Sequence, residues 1–146
     1  MKSVNITEVV TSLLKEYIQN SKRASEQLDI RLPHGNIWIL AQEKILIRIL
    51  CNLIDNALKY STGDIMFYMW GESEYCHIQI SNPSDYISDE ELKSIFDLFY
   101  TKDEARTKSS GIGLYATRKL VIQISGDIQV NYEAGIFTVS IKLPLI

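Results

Sequence analysis

Two asparagines and a lysine occupy one face of a predicted helix in the stretch RILCNLIDNALKYSTGD, residues 48–64. Asn52, Asn56 and Lys59 follow one another at intervals of four and three residues, which brings their side chains together along a helix. Asparagine is a mediocre helix former, and a face selected only for solubility more often carries Glu, Lys or Gln. Amide oxygens are hard, neutral ligands that suit a magnesium ion still bound to phosphate and water. The residue types therefore favour a magnesium and phosphate site, and the alternative is a solvated helix face.

A pair of glycines opens another predicted helix in the stretch SSGIGLYATRKLV. Gly111 and Gly113 leave the backbone bare where the unpaired N–H groups and the positive end of the helix dipole can meet an anion. Such a pair is also common in plain turns. A long polar segment with Lys102, Arg106 and Lys108 precedes it, and the asparagine helix supplies ligands of the magnesium type. Together these features predict a site for Mg²⁺ and a polyphosphate.

Length, composition and charge restrict the class of protein. A chain of 146 residues with 46% hydrophobic residues suits one domain with a single core, so we expect one domain over residues 1–146. The net charge of -3 and the absence of a basic run argue against nucleic-acid binding. No apolar window approaches the roughly 18 residues that a membrane span needs, and the N-terminus lacks the apolar core of a signal peptide. We expect a cytoplasmic chain without a membrane segment.

Hydrophobic periodicity predicts the helices and strands that must position these residues. Helices are predicted at residues 6–27, capped by Asn5 or Thr7, at residues 42–60 and at residues 111–125. LDIRL and IWIL, separated by PHGN, are predicted to form a hairpin or two neighbouring strands. DIMFYMW, YCHIQI and a closing hairpin through EAG follow, and residues 81–110 form a long connection with one short helix.

These elements predict a two-layer α/β (α+β) sandwich. About three helices and at least six strands are expected, and the strands come mostly in consecutive pairs joined by short turns. Consecutive pairing favours a mixed, mostly antiparallel sheet covered on one face by the helices.

In several motifs the chain resembles the catalytic, ATP-binding domain of sensor histidine kinases. NLIDNALKY is similar to the N-box of that family, IFDLFYTK to its phenylalanine box, and SGIGLYATRKLV to its second glycine-rich box. The ending SGDIQVNYEAGIFTVSIKLPL resembles the final hairpin of the family. The wider superfamily, called GHKL, includes DNA gyrase, the MutL repair ATPases and related chaperones. The resemblance implies a Bergerat fold that holds ATP between the N-box helix and a lid.

The resemblance implies roles for the residues of the N-box helix. It makes Asn56 the magnesium ligand and places Asn52 one turn earlier on the same polar face. Lys59 would reach a phosphate and complete the catalytic set with the two asparagines, and Tyr60 would pack beside the nucleotide.

The resemblance also implies a set of nucleotide-binding residues at the two ends of a lid. Phe96 and Phe99 would anchor its first end, although both phenylalanines are nearly as well explained as ordinary core residues. The remaining residues of the set would contact phosphate, shape the hinge or form the triphosphate cradle: Lys102, Arg106, Gly111, Ile112, Gly113 and Leu114.

The adenine box departs from the family pattern. The family has an aspartate that accepts a hydrogen bond from the adenine amino group, followed by glycines, whereas this chain has ISNPSDYIS. Asn82 takes the aspartate position, Asp85 is the alternative if the register slips, and Ile87 completes the adenine-binding set. An asparagine oxygen accepts the same bond without charge assistance, so we expect weaker affinity for ATP.

The reaction follows from the same comparison. Hydrolases of the superfamily carry a glutamate base where this chain has Asn52, and an amide cannot act as a general base at neutral pH. This substitution favours phosphoryl transfer to a protein. His34 lies in a turn and His77 in a strand, so the acceptor histidine is expected on a separate dimerisation domain absent from this chain. The resemblance further implies a longer, membrane-anchored sensor kinase and a response regulator downstream.

Two other functions remain open at the level of sequence. A pseudokinase that docks on helices without holding ATP would explain the altered adenine box. A stand-alone serine kinase of the anti-sigma type would use the same fold on a protein substrate.

Overall fold

The computed structural model describes residues 1–97 and 113–146. Its strands are β1 (Lys2–Asn5), β2 (Leu28–Arg31), β3 (Trp38–Ala41), β4 (Ile65–Glu72), β5 (Tyr75–Pro83), β6 (Asp127–Glu133) and β7 (Ile136–Pro144). Its helices are α1 (Ile6–Asn20), α2 (Lys22–Gln27), α3 (Glu43–Tyr60), α4 (Asp89–Lys93) and α5 (Tyr115–Gln123).

A five-stranded sheet with the order β2-β4-β5-β7-β6 forms one layer of the structure. β2 runs parallel to β4, and every other pair in this sheet is antiparallel. Along β4, Phe67 and Met69 are fully buried while Met66 and Tyr68 are exposed, because successive side chains of a strand point to opposite faces. The mixed, mostly antiparallel sheet packed against helices confirms the predicted sandwich.

Helix α3 supplies the largest share of the helical side of the core. Six of its side chains are at most 4% exposed: Leu46, Ile49, Leu50, Leu53, Ile54 and Ala57. They recur at intervals of three and four residues, the spacing that lines one face of a helix. Within the described ranges, no helix is long and apolar enough to cross a membrane.

The pairing predicted for the first two strands is wrong. β2 pairs with β4, in a register that sets Leu28 beside Ile65, and β3 pairs with β1, in a register that sets Ile39 beside Val4. The segment after β2 does not reverse into a hairpin, because Ile37 O accepts a hydrogen bond from the Ile6 backbone N–H at 2.9 Å. Strands of four residues carry too little pattern to specify their partners.

The predicted first helix is divided into two at Ser21. The backbone of Ser21 is extended, with φ -135° and ψ 117°, and its side chain accepts a hydrogen bond from the Ala24 N–H. Ser21 therefore caps a second helix, α2, as Asn5 caps α1 by accepting from the Glu8 N–H at 3.2 Å. The break directs α2 toward the C-terminal end of α3.

Arg23 of α2 binds the last carbonyl groups of α3. Its guanidinium donates to Leu58 O and, at 2.5 Å, to Ser61 O, while its Nε donates to Gln27 Oε1 at 2.7 Å. Carbonyl groups at a helix C-terminus lack partners within the helix and carry negative partial charge, so a half-buried cation there is stabilising. Arg23 thereby fixes the turn of α3 that carries Lys59.

The exit from α3 is also tied to the end of β5. The Thr62 N–H donates to Pro83 O at 2.9 Å. Gly63 packs so closely that a Cβ added there would lie 3.0 Å from Pro83 Cγ. The end of the asparagine helix and the strand that carries Asn82 are therefore held side by side.

Replacing Arg23 by alanine is expected to lower the free energy of unfolding by about 1.5–3 kcal/mol, because two carbonyl groups lose a charged donor. Urea denaturation of the two proteins measures this difference. Arg31→Ala is the matched control: the Arg31 side chain is 63% exposed and pairs with the exposed Asp29 at 3.5 Å. The control should cost less than about 1 kcal/mol. Equal losses for the two variants would contradict the role of Arg23.

Candidate functional site

A cleft of about 360 Å³ lies between the polar face of α3 and the beginning of α5. Its lining residues are Asn52, Asp55, Asn56, Lys59, Gly113, Leu114, Ala116 and Thr117. The fold therefore brings the predicted N-box residues and the end of the second glycine-rich box to one place. Tyr60, half-buried, does not line this cleft, and the Lys59 Nζ lies 5.3 Å from the centroid of its ring.

Helix α5 directs its N-terminus at the cleft. The helix begins at Tyr115, two residues after Gly113, and Leu114 forms no side-chain cap. The first N–H groups of α5 therefore lack a capping side chain, and they carry the positive end of the helix dipole. The Leu114 N–H itself donates to Ile95 O at 2.7 Å, and this bond fixes where the helix starts.

Phe96 packs beside α5. The Arg118 guanidinium carbon lies 5.5 Å from the centroid of the Phe96 ring, and Ile95 next to it is fully buried. Five predicted site residues lie outside the described residues: Phe99, Lys102, Arg106, Gly111 and Ile112.

Thr117 is a cleft residue that the sequence interpretation missed. It is 3% exposed, and its Oγ1 accepts a hydrogen bond from Asn52 Nδ2 at 3.4 Å. The sequence offered one signal for Thr117: it is a hydroxyl residue soon after Gly111 and Gly113, the glycines that already predicted a phosphate site. Sequence alone gives no reason to connect two residues 65 positions apart.

Tyr17 is a second residue that the sequence interpretation missed. It does not line the cleft but contacts Asp55, which does. Its hydroxyl donates to Asp55 Oδ1 at 2.7 Å. Burial, helped by the hydrogen bonds to Asp55 and Cys51, raises the pKa of Tyr17 far above its usual range, so the phenol remains a donor. The carboxylate of Asp55 is thus held by α1 at the wall of the cleft.

Asn82 is buried where β5 ends. The side chain is 3% exposed, and its Nδ2 donates to Pro83 O at 3.0 Å. Among the residues that the structure describes, no group donates to Asn82 Oδ1. A buried acceptor without a partner costs roughly 1–3 kcal/mol, so this oxygen is suited to a donor from a ligand.

The surroundings of Asn82 distinguish it from the alternative residue. Phe137, 3% exposed, stands opposite it on β7, and Ile87, 2% exposed, is buried as well. Asp85 is exposed to solvent. Asn82 does not line the cleft of α3, but the bond from Thr62 to Pro83 keeps it beside the end of that helix. The burial pattern favours Asn82 over Asp85 as the residue predicted to accept the hydrogen bond from the adenine amino group.

The side-chain oxygens of the cleft suit a magnesium ion that is already bound to phosphate. Residues 1–97 and 113–146 contain no group of three or more His, Cys, Asp or Glu side chains placed to hold a metal ion. Asn52 and Asn56 offer neutral amide oxygens one turn apart. Magnesium keeps several waters and commonly takes its remaining ligands from phosphate oxygens, so two amide oxygens beside the Asp55 carboxylate suit Mg²⁺ that arrives with a polyphosphate.

Comparison with known proteins places the chain in a family. The model of the family described as "Histidine kinase-, DNA gyrase B-, and HSP90-like ATPase" matches residues 41–146. The sensor protein RprX of Bacteroides fragilis is 28% identical over 154 aligned positions, which cover 100% of this chain and 30% of that protein. The sensor histidine kinase YcbM of Bacillus subtilis is 27% identical, with 95% of this chain and 47% of that protein covered. This chain thus spans less than half the length of either relative.

Solved structures agree with the fold. The mycobacterial sensor histidine kinase MprB superposes with a TM-score of 0.81 at 20% identity, covering 99% of this chain and 97% of that chain. The histidine kinase domain of the E. coli osmosensor EnvZ gives 0.77 at 22% identity, covering 100% and 89%. Since the family match includes the cleft and extends over more than half of the sequence, the chain belongs to the histidine kinase-, DNA gyrase B- and HSP90-like ATPase family.

Proposed function

We propose that the chain binds Mg·ATP in the cleft between α3 and α5 and transfers the γ-phosphoryl group to a histidine on a separate dimerisation domain. One observation carries this proposal. In a chain of this ATPase family, the side chains of Asn52, Asn56 and Lys59 on α3 line the same cleft as the N-terminus of α5. Family membership supplies ATP binding. The cleft supplies the metal and phosphate contacts.

The polar face of α3 would hold the metal and the phosphates. The amide oxygen of Asn56 would ligate Mg²⁺, Asn52 would support it one turn earlier, and Lys59 would neutralise phosphate charge. When bound, Mg²⁺ neutralises charge on the phosphates and orients them for transfer. The N–H groups at the start of α5, where Leu114 provides no side-chain cap, would meet phosphate oxygens, with Gly113 and Leu114 at the edge of the cradle.

The base would be read where β5 ends. Asn82 Oδ1 would accept a hydrogen bond from the adenine amino group, and Tyr60 and Ile87 would pack near the base. The contact from Asn82 Nδ2 to Pro83 O supports this role, because it leaves the amide oxygen as the acceptor. Phe99, Lys102, Arg106, Gly111 and Ile112 are proposed to form the lid over the nucleotide.

Transfer to a protein is favoured over hydrolysis. Asn52 has no basic atom that could take a proton from water at neutral pH, and its amide nitrogen is engaged by Thr117. The relatives are named sensor proteins and sensor histidine kinases, which supports neither the pseudokinase nor the anti-sigma serine kinase.

We propose a single catalytic and ATP-binding domain over residues 1–146. The family match begins at residue 41, but the N-terminal segment contributes to the same core through Val4, Ile6, Val10 and Leu14. The proposed acceptor domain, the response regulator, the membrane anchor and the cytoplasmic location belong to the longer protein, which the curated relatives suggest by their length.

Calorimetric titration of the chain with ATP in Mg²⁺ is expected to give micromolar-class binding, about 7–8 kcal/mol. Asn56→Ala should weaken Mg·ATP binding at least about tenfold, or about 1.4 kcal/mol, because the magnesium loses its protein ligand. In EDTA, where no Mg²⁺ is available, ATP binding by Asn56→Ala should differ little from that of the wild type. Asn20→Ala, at the exposed end of α1, is the matched control. No binding at millimolar ATP would overturn the proposed function.

Asn82→Asp is expected to weaken ATP binding by about tenfold, although it restores the residue typical of the family. The substitution replaces the amide donor with a carboxylate oxygen facing Pro83 O, so two acceptors would meet where a 3.0 Å hydrogen bond stands. In the wild type, ITP should bind at least about tenfold more weakly than ATP, because its 6-oxo group meets the Asn82 oxygen. Tighter ATP binding by Asn82→Asp would contradict this orientation of the amide.

Incubation with radiolabelled ATP is expected to leave this chain unlabelled, since His34 lies in a turn and His77 on the sheet. Addition of the dimerisation segment of the same protein should place an acid-labile label on that segment. Asn56→Ala should abolish the transfer, whereas Asn20→Ala should not. A stable label on this chain alone would contradict the assignment of the acceptor.

A further inference from the structure

Thr117 places a buried hydroxyl in the wall of the cleft. It is the third residue of α5 and is 3% exposed, yet it borders the same cavity as Asn52 and Asn56. The Asn52 amide nitrogen donates to Thr117 Oγ1 at 3.4 Å. This contact joins the two helices that form the cleft.

The Asn52 amide directs its nitrogen at Thr117, whose hydroxyl accepts this bond and can direct its own proton elsewhere. A carboxamide has a donor end and an acceptor end of nearly equal size, so packing alone does not distinguish its two orientations. Within the described part of the chain, Thr117 is the one group that hydrogen-bonds the Asn52 side chain. Because the nitrogen faces Thr117, the oxygen is turned away from α5.

We propose that Thr117 is a positioning residue: its hydroxyl accepts a hydrogen bond from the Asn52 amide nitrogen and holds the side chain so that the amide oxygen serves the bound metal. This inference rests on the proposed function. Asn52 and Asn56, one turn apart on α3, then present two amide oxygens to the hydrated Mg²⁺ of Mg·ATP. Hydrogen bonds that orient a ligand of a metal commonly change metal affinity by about 10–100-fold.

The test uses the full chain and two substitutions of Thr117. Thr117→Val keeps the shape of the side chain and removes the hydroxyl, whereas Thr117→Ser keeps the hydroxyl. The quantity measured is the ratio of the ATP dissociation constant in EDTA to that in Mg²⁺, from calorimetric titration. Thr117→Val should reduce this ratio about tenfold with little change in EDTA, and Thr117→Ser should stay within about twofold of the wild type.

A double substitution separates positioning from general damage. In an Asn52→Ala background, Thr117→Val should leave the ratio unchanged, because the amide that it positions is gone. The inference is overturned if Thr117→Val retains the wild-type ratio, if it weakens binding equally in EDTA and Mg²⁺, or if the two substitutions act additively. A wild-type chain that binds no ATP overturns the proposed function together with this inference, whereas binding with an unaffected Thr117→Val overturns this inference alone.

Discussion

Helix α3 packs a continuous apolar face against the sheet, and this packing determines the direction of every polar side chain on its other face. Leu50, Leu53 and Ile54 are at most 2% exposed, while Asn52 and Asn56, on neighbouring positions of the same turns, reach the cleft. A rotation of the helix by one residue, about 100°, would expose the apolar face and bury the amides without partners. The core therefore orients the site, and the cost of burying unpaired polar groups keeps it in that orientation.

The ends of the two cleft helices are fixed by hydrogen bonds to the backbone rather than by surface ion pairs. Arg23 binds the last carbonyl groups of α3, Thr62 ties its exit to β5, and the Leu114 N–H binds Ile95 O where α5 begins. Exposed ion pairs contribute little because water and salt screen them, whereas a half-buried cation on a helix end is screened much less. The positions of Lys59 and of the α5 N-terminus follow from these contacts.

Asn52 and Asn56 in the cleft and Asn82 at the end of β5 are neutral amides at positions where carboxylates would be alternatives, and Asp55 adds a carboxylate to the cleft wall. Amide oxygens bind a cation or a donor without adding negative charge beside a polyphosphate. Their weakness is ambiguous orientation. Asn82 donates to Pro83 O, a group that can only accept, and Asn52 donates to Thr117 Oγ1. In both, a protein oxygen engages the amide nitrogen, and this contact leaves the amide oxygen as an acceptor. Amides at these positions are compatible with positioning a phosphoryl group for transfer, and neither amide can act as a general base at neutral pH.

The sequence by itself determined the helical face of α3, predicted over residues 42–60 and found at Glu43–Tyr60, because burial imposes its period on the residues. It also determined the closing hairpin, whose turn residues Ala134 and Gly135 adopt positive φ. The family resemblance was visible as well, because both features depend on residues that are neighbours in the chain. Tertiary structure alone decided the partners of β2 and β3, the reach of Arg23 to α3 and the contact between Asn52 and Thr117. Each of these joins residues far apart in the chain, and their approach depends on how the helices pack on the sheet, which no local pattern encodes.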